Sequence, residues 1–119
     1  MKILIVDDEE MIREVIKEYS EDAGYQTDEA ENGKIALEKI NKNTYDLLIL
    51  DIMMPEMDGF TVLKNIPKEK MIPTIVLSAR GEEYDKLNGF DLGIDDYLTK
   101  PFSPKELIAR IKAIKNRTI

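Results

Sequence analysis

The chain has 119 residues, 43% of them hydrophobic, with 24 acidic and 17 basic side chains, a net charge of −7, no histidine and no cysteine. That length suits a single domain over residues 1–119. The negative balance argues against direct nucleic-acid binding, which needs clustered Lys and Arg, and the lack of cysteine excludes disulfides and thiolate metal sites.

No apolar run approaches the roughly 20 residues of a membrane span. Met1 leads straight into an apolar run with no leader pattern, so a cytoplasmic location without membrane contact is expected. Lys2–Val6 predicts a first strand, and Glu10–Ala23 a helix with Ile12, Val15, Ile16 and Tyr19 on one face, stopped by Gly24. Tyr25–Ala30 alternates and carries charge, as an edge strand does. Asn32-Gly33 has the chemistry of a hairpin turn. The helical spacing of Ala36, Leu37 and Ile40 instead makes Asn32 the cap of a helix over Lys34–Lys42. Tyr45–Leu50 predicts a third strand, Ile52–Asp58 a loop, and Gly59–Ile66 a short helix before Pro67. Pro73–Leu77 predicts a fourth strand, Glu82–Leu92 a weakly amphipathic helix and Tyr97–Thr99 a short fifth strand. Ser103-Pro104-Lys105-Glu106 has the pattern of a capped helix start, for a helix running to about Lys115. Its basic side chains read as a solvated face. Five βα units in regular alternation predict an α/β fold: a parallel sheet covered by helices on both faces.

The charged residues that end the apolar runs carry the chemistry. Asp7 and Asp8 follow the first run, Asp51 the third, and Lys100 the last. In a parallel sheet the carboxyl ends of the strands share one edge, where ligands bind. Three carboxylates and one ammonium therefore converge there. Their charges sum to −2, which a divalent cation would cancel. Carboxylate oxygens suit Mg²⁺, with Ca²⁺ as the alternative although no EF-hand spacing is present, and the chain has no imidazole or thiolate for zinc or copper. A carboxylate beside Mg²⁺ and a lysine suggests a nucleophile that attacks phosphorus. Ser78, at the end of the fourth strand, could supply a hydroxyl, and small Ala79 leaves room for the phosphoryl group. Each of these residues alone has a plainer reading: Asp8 as a helix cap, Asp51 as a solvated strand-end acid, Ser78 as a turn residue, and Met53, Met54 and Met57 as packing.

The ordered set resembles the receiver domains of response regulators in two-component systems. It comprises Asp7-Asp8, Asp51-Ile-Met-Met-Pro-Glu-Met-Asp-Gly59, Ser78-Ala79 and Lys100-Pro101-Phe102, and it spans essentially the whole chain. The resemblance implies a flavodoxin-like, doubly wound five-stranded sheet of order 2-1-3-4-5 with five helices. It implies that Asp51 is the phosphoacceptor, charged by a cognate sensor histidine kinase. Mg²⁺ would be held by Asp7, Asp8, Asp51 and the backbone carbonyl of Met53. Lys100 would pair first with Asp51 and then with the phosphoryl group. Ser78 and Tyr97 would be the switch pair, Pro101 would follow a cis bond, and Met53 and Arg80 would flank the path of attacking water. No small-molecule turnover is expected of such a domain.

The run Asp95-Asp96-Tyr97-Leu98-Thr99-Lys100-Pro101-Phe102-Ser103-Pro104-Lys105-Glu106-Leu107 is similar to the winged-helix transcription-factor class (OmpR/PhoB-like). That likeness implies a phosphorylation-dependent homodimer through the helix over 82–92, the fifth strand and the last helix. Lys86 with Glu106, and Asp95 or Asp96 with Arg110, are the candidate contacts. The effector domain that would bind DNA is expected beyond this chain, and the alternative is a stand-alone receiver acting through protein contacts. A dehalogenase-type phosphatase would need an acid where Met53 stands, and a nucleotide or flavin module would need a Gly-rich phosphate loop where Asp7-Asp8 stands.

Overall fold

The computed structural model describes residues 1–79 and 91–117. Five parallel strands, β1 (Lys2–Val6), β2 (Gln26–Ala30), β3 (Leu47–Asp51), β4 (Thr74–Ser78) and β5 (Asp96–Thr99), form one sheet of order β2-β1-β3-β4-β5. The helices among the described residues are α1 (Glu10–Asp22), α2 (Gly33–Lys42), α3 (Gly59–Asn65) and a C-terminal helix (Pro104–Arg117), with a 3₁₀ turn at Lys68–Lys70. The helix expected over Glu82–Leu92 lies, but for its last two residues, outside the described residues, and so do Arg80 and Lys86.

Strand periodicity sorts the core into two layers. Leu4, Val6, Leu48, Leu50 and Val76 face α2 and α3, where Ala36, Ile40, Val62 and Leu63 meet them. Ile3, Ile5, Leu47, Ile49, Ile75 and Leu77 face α1 and the C-terminal helix, meeting Ile16, Leu107, Ile111 and Ile114. Every residue of β3 and β4 is buried, as expected of inner strands covered on both sides. Each such aliphatic side chain contributes about 1.5–3 kcal/mol of gross burial energy.

β2 is the polar edge strand, pinned by charge. Lys39 of α2 donates to Asp28 Oδ1 (2.9 Å) and to the Glu29 carbonyl, and Arg13 of α1 donates to Glu29 Oε1 (3.2 Å). The buried Tyr45 hydroxyl donates to Asp28 Oδ2 at 2.6 Å. Burial and then this bond push the Tyr45 phenol well up. Burial also raises Asp28, but its bonds from Tyr45, Lys39 and the Glu29 amide outweigh that and hold it below the usual range. Tyr45 thus serves as a side-chain anchor, and β3 starts two residues later than its apolar run implies.

Local caps set the helix starts. Asn32 Oδ1 accepts from the Ile35 amide (2.8 Å), so Asn32-Gly33 opens a helix rather than a hairpin. Asp58 Oδ1 accepts from the Thr61 amide (2.8 Å). Ser103 Oγ accepts weakly from the Glu106 amide (3.4 Å), while the Glu106 carboxylate turns to Arg110. At Gly24, φ of +93° favours glycine and ends α1.

Candidate functional site

Parallel registry brings the charged residues together. Val6 pairs with Leu50, Asp51 with Leu77, and Ser78 with Thr99. Asp7, Asp51, Ser78 and Lys100 therefore stand at the ends of four adjacent strands. The Lys100 amide donates to the Ser78 carbonyl (2.7 Å), which extends the β4–β5 pairing one residue into the site. The Lys100–Pro101 peptide bond is cis.

Asp7 is fully buried and Asp51 is 2% exposed, whereas Asp8 lies on the surface. Carboxylate oxygens of all three lie within 4.8 Å of one another. Lys100 Nζ sits 3.0 Å from Asp7 Oδ2 and 3.3 Å from Asp51 Oδ1. Asp7 Oδ1 accepts from the Glu9 amide (2.9 Å), and Asp51 Oδ1 faces the Met53 amide at 3.4 Å. Glu9, not Asp8, holds the N-cap position of α1, and its side chain makes no capping bond.

Burial, and then the Asp7 charge, push the Asp51 carboxyl up to about 7, against the pull of Lys100 and the Met53 amide. Burial alone would lower Lys100, but the hydrogen bond to Asp7 and the charges of Asp51 and Asp7 outweigh it and hold the ammonium above its ordinary range. One ammonium does not neutralise three acids. An all-oxygen donor set with surplus negative charge, partly buried and partly open, fits a hard divalent cation such as Mg²⁺. It offers nothing to a soft metal.

A close backbone approach builds the far wall. The Gly59 amide donates to the Ile52 carbonyl (2.9 Å), and a Cβ at Gly59 would lie 2.5 Å from the Asp51 carbonyl oxygen. Only glycine lets α3 begin against the end of β3. Between them the chain turns tightly at Glu56, φ +67°, with the Met57 amide on the Pro55 carbonyl (2.7 Å).

Ser78 is fully buried at the end of β4, Ala79 is exposed beside it, and the Met53 side chain points to solvent while its main chain lies beside Asp51. Tyr97 pairs in register with Val76, and its ring is buried in the same core layer as Val76 and Ile94 rather than lying open at the sheet edge.

The candidate dimer residues Asp95, Asp96, Glu106 and Arg110, which are among the described residues, have partners within the chain. Arg110 Nη1 donates to both oxygens of Asp96 (2.9 Å each), and Nη2 pairs with Glu106 (3.0 Å). Those bonds, with Asp96 first, raise the Arg110 guanidinium further above its already high range. Asp95 closes the start of β4: its Oδ2 accepts from the Thr74 amide and its own amide donates to the Thr74 carbonyl, both at 2.9 Å.

Sequence reasoning missed Arg13, whose Nη1 donates to the Asp7 carbonyl at 2.8 Å. An arginine on the polar side of an amphipathic helix carries no local mark of such a contact. An acid at the end of the adjoining edge strand, Glu29, was the available hint.

The family described as "Response regulator receiver domain" matches residues 3–112. The chain is 48% identical over 116 residues to the transcriptional regulatory protein ResD of Bacillus subtilis, covering 98% of this chain and 48% of that protein. It thus spans about half the length of the curated relatives it matches. Among solved structures, the receiver domain of the Francisella response regulator 1452 superposes with a TM-score of 0.92 at 44% identity, covering 99% of this chain and 98% of that one. The response regulator TrrA of Thermotoga maritima, solved in complex with Mg²⁺ and beryllofluoride, superposes with a TM-score of 0.83 at 41% identity, covering 94% and 96%.

Proposed function

The chain belongs to the response regulator receiver family, and on that premise we propose that Asp51 accepts a phosphoryl group from a sensor histidine kinase of a two-component system. The observation that carries this reading is the nearly buried Asp51 carboxylate, 3.3 Å from Lys100 Nζ and grouped with Asp7 and Asp8 at the carboxyl edge of the sheet. In the transfer an Asp51 oxygen forms a bond to phosphorus as the P–N bond of a phosphohistidine breaks. The electron pair leaves with the imidazole nitrogen, which then takes a proton. Asp7, Asp8, Asp51 and the Met53 carbonyl would hold Mg²⁺, which when bound would supply charge neutralisation for the phosphoryl oxygens. Lys100 is already seated to move from carboxylate to phosphoryl oxygen.

The buried Ser78 hydroxyl and Tyr97 ring form the switch: Ser78 moves to the new acceptor oxygens, and the ring packs behind it. The output is control of transcription through an effector domain beyond this chain, in keeping with relatives about twice its length that are transcriptional regulatory proteins. Dimerisation of the phosphorylated form would reuse Asp96, Glu106 and Arg110 with Lys86. The setting for such a kinase–receiver pair is the cytoplasm. None of the described helices is long and apolar enough to cross a membrane.

The test is incubation with Mg²⁺ and acetyl phosphate, read by intact mass beside Asp51→Asn. A Mg²⁺-dependent gain of one phosphoryl group in the wild type alone is expected. The same gain in Asp51→Asn would move the acceptor elsewhere.

A further inference from the structure

Arg13 stands outside the phosphoryl chemistry, yet it touches the main chain at the centre of the site. Its side chain is only 13% exposed. Nη1 donates to the carbonyl of Asp7 (2.8 Å), and Nε to Glu29 Oε1 (3.2 Å). Glu29 in turn has Lys17 Nζ at 3.8 Å on its other oxygen. The oxygen that Arg13 grips belongs to the peptide joining Asp7 to Asp8.

We propose that Arg13, anchored by Glu29, is a positioning residue for divalent-cation binding: it locks the Asp7–Asp8 peptide and so aims the Asp8 carboxylate at the cluster. The inference rests on the reading of Asp7, Asp8 and Asp51 as the Mg²⁺ site. Asp7 needs no such help, because its two oxygens are taken by the Glu9 amide and by Lys100. Asp8 is exposed, and its carboxylate has no hydrogen bond or ion pair among the described residues. Its direction therefore depends on the main chain. The Glu9 amide on Asp7 Oδ1 (2.9 Å) closes the turn around the Asp7–Asp8 peptide, and the bond made to that peptide itself is the one from Arg13 to its carbonyl oxygen. Holding a ligand's backbone in this way is the work that outer partners do at metal sites, where their loss costs about 10- to 100-fold in affinity.

Charge and position make opposite predictions here. A guanidinium repels a cation, so by Coulomb's law alone its removal tightens Mg²⁺ binding. Loss of the peptide lock weakens it. Arg13→Lys keeps the charge but cannot serve carbonyl and carboxylate with one planar fork. Arg13→Met removes both.

The experiment is Mg²⁺ titration by calorimetry of wild type, Arg13→Lys and Arg13→Met, with melting curves in chelator. Acetyl phosphate labelling across Mg²⁺ concentrations completes the set. Arg13→Lys should bind Mg²⁺ about tenfold more weakly, and Arg13→Met more weakly than wild type but by less, because it also loses the repelling charge; labelling of both recovers to near the wild-type rate at saturating Mg²⁺. Unchanged or tighter Mg²⁺ binding in folded Arg13→Lys, even with a lowered melting temperature, would reduce Arg13 to an edge-strand staple and overturn the proposal. Failure of the wild type itself to bind Mg²⁺ would overturn the cation site and this inference together.

Discussion

Lys100 donates its hydrogen bond to Asp7, 93 residues away in the chain, at 3.0 Å, and stands slightly farther from Asp51. The resting ammonium therefore bridges two buried acids rather than pairing with Asp51 alone. Lys100→Met should leave both carboxylates uncompensated. Breaking a buried ion pair from one side costs about 3–5 kcal/mol. Denaturant unfolding in chelator should show a loss of that order, part of it restored by Mg²⁺. A loss below about 1 kcal/mol would mean that water already screens the pair.

Asp51→Asn should stabilise the fold when no divalent cation is present. With its native pKa near 7 against an ordinary value of 3.8, Asp51 binds more protons folded than unfolded between those limits. Stability from this group is complete below about pH 4 and is lost as pH rises toward 7. Asparagine removes that loss, for a gain of about 1–3 kcal/mol at pH 8 in chelator. Melting curves at pH 4 and pH 8 check it, since the gain should vanish at the acid end. Mg²⁺ should narrow the difference by binding the native wild type. An equal gain at both pH values would contradict the charge argument.

Gly59→Ala tests the join between α3 and the site. The added Cβ would meet the Asp51 carbonyl at 2.5 Å and Ile52 Cα at 2.9 Å, both main-chain atoms that move only with β3 itself. A destabilisation of about 1–3 kcal/mol is expected, together with slower labelling of Asp51 by acetyl phosphate. Wild-type stability and rate would show that the loop yields without disturbing the acid.

Ser20 lies fully buried in α1, and its hydroxyl finds no partner among the described residues. A stranded buried hydroxyl costs about 1–3 kcal/mol, and alanine is the better helix former. Ser20→Ala should therefore gain about 1 kcal/mol in denaturant unfolding and leave labelling unchanged. A loss of stability instead would reveal a water or a carbonyl serving the hydroxyl.

Much of the fold follows from local chemistry. The short apolar runs at Ile3–Val6 and Leu47–Leu50, alternating with helical segments, read as covered strands, the charges of β2 place it at an edge, and Asn32 and Asp58 cap helices through bonds that close within one turn. Parallel strands bring their carboxyl ends to one side, so Asp7, Asp8, Asp51, Ser78 and Lys100 could be named before any coordinates.

The sequence by itself thus determined the element order, the edge at which the acids meet and the kind of cation they suit, because each depends on period, capping and valence. The tertiary structure alone decided that Lys100 leans toward Asp7, that burial pushes the Asp51 carboxyl up from its ordinary range, that Arg110 is committed to Asp96 and Glu106 within its own chain, and that Arg13 grips the Asp7 carbonyl. All four depend on distances and burial set by strand register and by the seating of helices on the sheet. Residues far apart in the chain reach 3 Å contact only through that packing, and no local pattern records it.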